Sequence, residues 1–176
     1  WIFPMAPQGG WRTIVQREVD SYFLNASNDG GPLLPSGGGV FAGATTYVSG
    51  TTPSPVNAWT HVALTYDGSM LRLYVNGIQA ASQARAGLIQ ASSSPLWIGG
   101  NSPYGEYFQG NLDEIRIYNR ALSPAEIQAD MNTPLVAQGP DTTARTAPWG
   151  LGATATGSTQ VNLSWTATTD IVGVTG

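Results

Sequence analysis

Residues 59 to 79 read WTHVALTYDGSMLRLYVNGIQ, and few folds can accommodate them. Two dipeptides in this run, Asp67-Gly68 and Asn76-Gly77, favour the positive φ angles of tight hairpin turns. Around them Val62, Leu64 and Tyr66 alternate with His61, Ala63 and Thr65, and then Leu71, Leu73 and Val75 alternate with Arg72 and Tyr74. A period of two sends the two sets to opposite faces of a strand. The run therefore predicts three antiparallel strands with one apolar face, which needs a second layer to cover it.

The same period recurs in WRTIVQR (11 to 17), SYFLNA (21 to 26), GVFAGATTYVSG (39 to 50), PLWIGG (95 to 100) and NLDEIRIYN (111 to 119). Glycine and proline loops separate them, notably NDGGPLLPSGGG (28 to 39), SGTTPSPVN (49 to 57) and GGNSPYGEYFQG (99 to 110). Many short strands at regular spacing predict an all-β antiparallel sandwich. A short helix is expected after it, with Ser123 as N-cap, Pro124 at the first position and Glu126 completing a capping box before Ile127 and Met131. The sandwich is assigned to 1–133, a linker to 134–148 by its composition, and a partial second β unit to 149–176, where Val161, Leu163 and Trp165 alternate.

Composition excludes several functions. A net charge of -4, with seven basic residues that are all arginine and do not cluster, gives phosphate backbones nothing to hold, so nucleic acid is not an expected partner. With no cysteine, disulfides, thiolate catalysis and zinc-thiolate sites are ruled out. No apolar run approaches the roughly 18 residues of a membrane span. Low charge and abundant Thr, Ser and Gly lean towards export, to the cell surface or medium of a bacterium. Neither end looks like a natural terminus, and the chain is expected to be part of a larger product.

WTHVALTYDGSMLRLYVNGIQ, PLWIGGN and GNLDEIRIYNRALSPAEIQADMN, taken together, resemble the laminin-G-like, concanavalin A-type jelly roll over residues 1 to about 133. Against that pattern WIFPMAPQGGWRTIVQRE resembles a middle strand pair, which implies that the opening strands are missing and that sheet edges beside 11–17 and 159–167 are open to pairing with other chains. The segment DTTARTAPWGLGATATGSTQVNLSWTATTDIVGVTG resembles the first two strands of a fibronectin type III domain, with Trp165 at its core tryptophan position.

Five places in the sequence could carry chemistry. His61, the sole histidine, has no orienting acceptor or nucleophile implied by the strand pattern and reads as packing. Glu18-Val19-Asp20 resembles the start of the catalytic run of jelly-roll glucanases, but it continues Ser21-Tyr22-Phe23 without the second glutamate, so no catalytic residue is assigned. The resemblance implies a structural calcium at Asp113, with partner oxygens drawn in part from the missing strands. The loop 99–110 is the leading binding candidate: Asn101, Glu106 and Gln109 offer polar groups beside the flat faces of Tyr104 and Tyr107, a combination suited to sugars, and calcium-dependent pentraxins resemble the chain around this loop. Asn28 and Asp29 form a weaker candidate. The expected function is a non-catalytic module binding carbohydrate or another extracellular ligand. A fibre or oligomer built by strand exchange ranks second, and a glycoside hydrolase or lyase third.

Overall fold

The computed structural model describes residues 1–18, 21–135, 149–155 and 161–166. Its strands are β1 (Ile2–Pro4), β2 (Arg12–Arg17), β3 (Tyr22–Ser27), β4 (Ser36–Phe41), β5 (Ala44–Ser49), β6 (Val62–Tyr66), β7 (Met70–Val75), β8 (Ile78–Ala84), β9 (Leu96–Ile98) and β10 (Gly110–Leu112), followed by helix α1 (Pro124–Met131) and strands β11 (Trp149–Ala155) and β12 (Val161–Thr166). Two compact units divide the chain at Leu135 and Val136.

The first unit is an antiparallel β-sandwich of the jelly-roll type. One layer has the order β5-β4-β3-β2-β9; the other contains β6-β7-β8, with the pair β1-β10 joined to it where Ile2 bridges Thr60. Both expected hairpins of the opening run form, with Asn76 and Gly77 at φ 49° and 74° and Gly68 at 92°. The Asp67 carboxylate locks the first of them by accepting from Ser69 N–H, Met70 N–H and Arg72. These bonds, the one from Arg72 foremost, hold its pKa far below the usual carboxylate value.

The core lies between the layers. Leu71 and Leu73 are both 0% exposed and pack with Ile2, Ile14, Phe41 and Val48. Each such side chain contributes about 1.5–3 kcal/mol by leaving water. Gly37 on β4 sets how closely the layers approach: a Cβ there would stand 2.8 Å from Leu64 Cδ1 of the opposite layer. A bulge in β2, between Thr13 and Val15, puts Ile14 and Val15 together in the core and leaves Thr13 and Gln16 to the other face. Helix α1 has only eight residues and a capping box in which Ser123 accepts from Glu126 N–H while the Glu126 carboxylate accepts from Ser123 N–H. A helix so short depends on packing, here on the buried Ile127.

Several expectations need correction. β1 and β2 are not a strand pair, since they join different layers. β2 is not at an edge, because β3 and β9 flank it on either side. The glycines of the expected loop 28–39 open strand β4, and the stretch 39–50 is two strands turning at Ala42 and Gly43. Strand structure in 111–119 stops at Leu112, and Glu114 takes a left-handed φ of 49°: alternation alone does not make a strand where no neighbouring backbone pairs with it. In the second unit β11 and β12 pair antiparallel. The expected linker from 136 to 148 and the Trp165 side chain lie outside the described residues.

Replacing Gly37 by Val should lower unfolding stability by about 1–3 kcal/mol through overpacking against Leu64. Urea denaturation checks this, and Leu64→Ala in the same chain should return part of the loss. Equal stability of Gly37→Val and wild type would show that the layers are not in tight contact there.

Candidate functional site

The loop between β9 and β10 is built around one buried amide. Asn101 is 0% exposed, and its Nδ2 donates among Thr13 Oγ1 at 2.9 Å, Gln16 Oε1 at 2.6 Å and Glu106 Oε2 at 2.8 Å. Its Oδ1 accepts from Tyr104 N–H at 2.9 Å, and its carbonyl accepts from Gly105 N–H at 3.0 Å. Thr13 N–H donates to the Glu106 carbonyl at 3.0 Å, which ties the loop to β2. A buried amide left unpaired would cost several kcal/mol, so this satisfied network fixes the loop's shape.

That shape carries Tyr104 and Glu106 to the outer face of the five-stranded layer. Across this face one row of paired residues runs Gln16, Phe23, Gly38, Tyr47 over β2 to β5. Gly38 leaves a gap in the row, and a Cβ there would come 2.6 Å from Tyr47 Cβ. The Phe23 and Tyr47 rings close over it with centroids 6.5 Å apart, and Trp11 stands edge-on to both, 5.9 Å from Phe23 and 5.2 Å from Tyr47. Trp11 is held in place by its indole N–H, which donates to Asp29 Oδ2 at 2.7 Å. The result is a shallow groove of about 180 Å³ lined by Trp11, Gln16, Asn25, Tyr47, Tyr104 and Glu106. It has aromatic walls, one carboxylate, and beneath it the Asn25 Oδ1, which is buried and unpaired among the described residues. Aromatic faces beside a few fixed polar groups can grip a ligand that is apolar on its faces and polar at its rim.

The other sequence candidates lie elsewhere. Asn101 faces protein, so it supports the groove from inside. Tyr107 is 59% exposed but does not line the groove, and its ring lies against Gly100. Gln109 is exposed, with its backbone clamped by the Gln8 side chain at 2.6 and 2.8 Å. Asn28 is buried, bonding Leu34 and Ser49, while Asp29 serves Trp11. Asp113 accepts from Glu114 N–H at 2.8 Å, and no group of three or more His, Cys, Asp or Glu exists among the described residues. Calcium takes six to eight oxygens, so an ion at Asp113 would draw most of them from backbone carbonyls and water, and calcium there stays a proposal. Glu18 is half-buried; Val19 and Asp20 lie outside the described residues.

His61 packs edge-on to Trp1, with ring centroids 5.3 Å apart. Burial, and then the Trp1 ammonium, push its pKa below the ordinary value, against a smaller opposing pull from Asp130. The unfolded chain therefore binds the proton more readily, and stability is full above the unfolded pKa of about 6.5 and falls as pH drops through the window beneath it. Denaturant midpoints taken at pH about 7.5 and about 5.5 should differ more for wild type than for His61→Gln. Equal differences would mean that His61 titrates as in the unfolded chain.

Trp11, Phe23, Tyr47, Asn25 and Thr45 escaped the sequence reading because they sit in three separate segments. Phe23 did carry a signal, since it takes the outward parity in a strand whose other parity, Tyr22, Leu24 and Ala26, is apolar.

Residues 1–128 match the model of the concanavalin A-like lectin/glucanases superfamily. Mouse pappalysin-1 is 34% identical over 80 residues, 43% of this chain, and the chain spans only 5% of that relative's length. A candidate carbohydrate-binding protein from Bacteroides ovatus is similar in structure, with a TM-score of 0.60 and 25% identity over 72% of this chain and 38% of that one. Domain 4 of an extracellular arabinanase from Geobacillus stearothermophilus, solved with arabinotriose, has a TM-score of 0.57 and 21% identity over 74% of this chain and 63% of that one, a likeness of fold. The family match ends before residue 149, so the fibronectin resemblance rests on sequence alone.

Proposed function

Because the chain belongs to the concanavalin A-like lectin/glucanases superfamily, we propose that it is a carbohydrate-binding module that works without turnover, outside the cell, through the groove on its five-stranded layer. One observation carries this reading: Trp11, Tyr47 and Tyr104 stand around Glu106 and Gln16 on a rigid sheet, with Trp11 locked by Asp29 and Glu106 locked by Asn101. Sugar rings present C–H faces and hydroxyl rims, and such a surface meets both without a conformational change. At about 180 Å³ the groove is smaller than the roughly 300–1,000 Å³ of pockets that enclose a ligand, so one or two rings would rest on it, exposed on one side. The structural neighbour from Bacteroides ovatus supports a sugar over other ligands. For 149–176 the fibronectin-type reading is a separate proposal, supported by the antiparallel pairing of β11 with β12.

A glycan array followed by calorimetric titration of the best ligand tests the reading. Trp11→Ala should weaken binding at least about 10-fold, the loss expected of one well-packed aromatic contact. Tyr107→Ala, outside the groove, should leave affinity unchanged. Binding that survives Trp11→Ala, or an empty array, would sink the proposal. Chelation of divalent cations should leave affinity within about twofold, since no calcium ligand set is part of the groove; abolished binding would point to a metal-bridged site instead.

A further inference from the structure

The fixed polar groups that the groove offers a ligand are acceptors. Asn25 is 3% exposed and lines the groove, and its Oδ1 has no partner among the described residues. Its neighbour across β3 and β4 is Ser36, whose Oγ is buried and equally unpartnered, so neither satisfies the other. A buried carbonyl oxygen left in this state favours a ligand that brings a hydrogen to it.

A negative charge stands beside that oxygen. Asn25 pairs with Thr13 across β3 and β2, and Thr13 Oγ1 lies 3.2 Å from Glu106 Oε2. Side chains directly opposite on paired strands are about 4.5–5.5 Å apart at Cβ, so the Asn25 amide and the Glu106 carboxylate face one small space. Asn101 Nδ2 bonds the same Oε2, which leaves Glu106 Oε1 without a partner among the described residues.

The donors nearby are already engaged. The Trp11 indole N–H bonds Asp29, and the Asn101 amide is shared among Thr13, Gln16 and Glu106. No arginine or histidine lines the groove among the described residues, and Arg12, next to Trp11 in the chain, donates to the Trp11 carbonyl at 2.9 Å. The walls are the rings of Trp11, Phe23, Tyr47 and Tyr104, and an aromatic ring attracts a cation that lies within about 6 Å of its centroid. An ammonium has three hydrogens and no acceptor, so it can meet Asn25 Oδ1 and Glu106 Oε1 together. A hydroxyl brings one hydrogen and no charge. A carboxylate would meet a like charge, and an acetylated amine loses its own charge and adds bulk to a groove of only about 180 Å³.

Taking the groove as a sugar site, the reading on which this rests, we propose that its ligand is an amino sugar with a free primary amine. The ammonium sits between Asn25 Oδ1 and Glu106, and the sugar ring rests against the aromatic walls. The groove thereby selects against N-acetylated and acidic sugars.

Calorimetric titration at pH about 6, where the amine is protonated, compares the β-1,4-linked glucosamine trimer with cellotriose, the same chain with hydroxyls in place of the amines. The glucosamine trimer should bind at least about 10-fold more tightly, and neither its N-acetylated form nor trigalacturonate should exceed cellotriose. Glu106→Gln keeps an oxygen for Asn101 and removes the charge, and Asn25→Leu removes the unpartnered oxygen at similar volume. Each should shrink the preference at least about fivefold, whereas Trp11→Ala should weaken both sugars. Equal binding of glucosamine trimer and cellotriose, both weakened by Trp11→Ala, would overturn the amine assignment while the sugar groove stands. Tighter binding of trigalacturonate would also overturn it. So would a preference that survives Glu106→Gln and Asn25→Leu, since it would then belong to the net charge of -4 on the whole chain. Absence of binding by every one of these sugars and by a glycan array would remove the sugar reading and this proposal with it.

Discussion

The buried amide of Asn101 is the contact on which the outer face of the molecule depends. It has two hydrogens and three oxygens around it, from Thr13, Gln16 and Glu106, and it sits where no water reaches. A group in that position is stabilising only while it is satisfied, and moving the loop away from the strand would leave its buried hydrogens short of acceptors. The strand and the loop therefore have to move together or not at all. The bulge in β2 makes this possible: one extra residue lets Ile14 and Val15 both enter the core while Thr13 and Gln16 both turn out to meet the amide.

The framework of the sandwich was readable from local chemistry. Asp67-Gly68 and Asn76-Gly77 determine turns through backbone sterics alone, and the Ser123, Pro124 and Glu126 cap acts within one turn of helix. Such features need no information from distant residues. Strand β4 was harder, because Gly37, Gly38 and Gly39 read as loop on propensity, and only the two flanking strands make an extended glycine run stable.

The site was legible in part. Tyr104 and Glu106 stood out in a loop whose composition suggested contact, but loop composition does not distinguish a residue that faces solvent from one that holds the loop. Asn101 is of the second kind. Trp11, Phe23 and Tyr47 come together only through register, which depends on the β2 bulge and on three successive pairings, Gln16 with Phe23, Phe23 with Gly38 and Gly38 with Tyr47, none of which local periodicity specifies. The strand expected over 111–119 failed for a related reason: its alternation is real, yet a ladder needs a neighbour, and past Asp113 none stands beside it among the described residues.

Gly38 sets the spacing of the aromatic walls of the groove. The Phe23 and Tyr47 rings meet over it, and any Cβ there would collide with Tyr47 and drive the two rings apart. Gln16 and Glu106 are tied to the same buried amide and are constrained with it. Variation is then left to the rim at Trp11, Thr45 and Tyr104, so descendants of this domain could change which ligand they prefer by exchanging those side chains while the spacing of the walls stays the same.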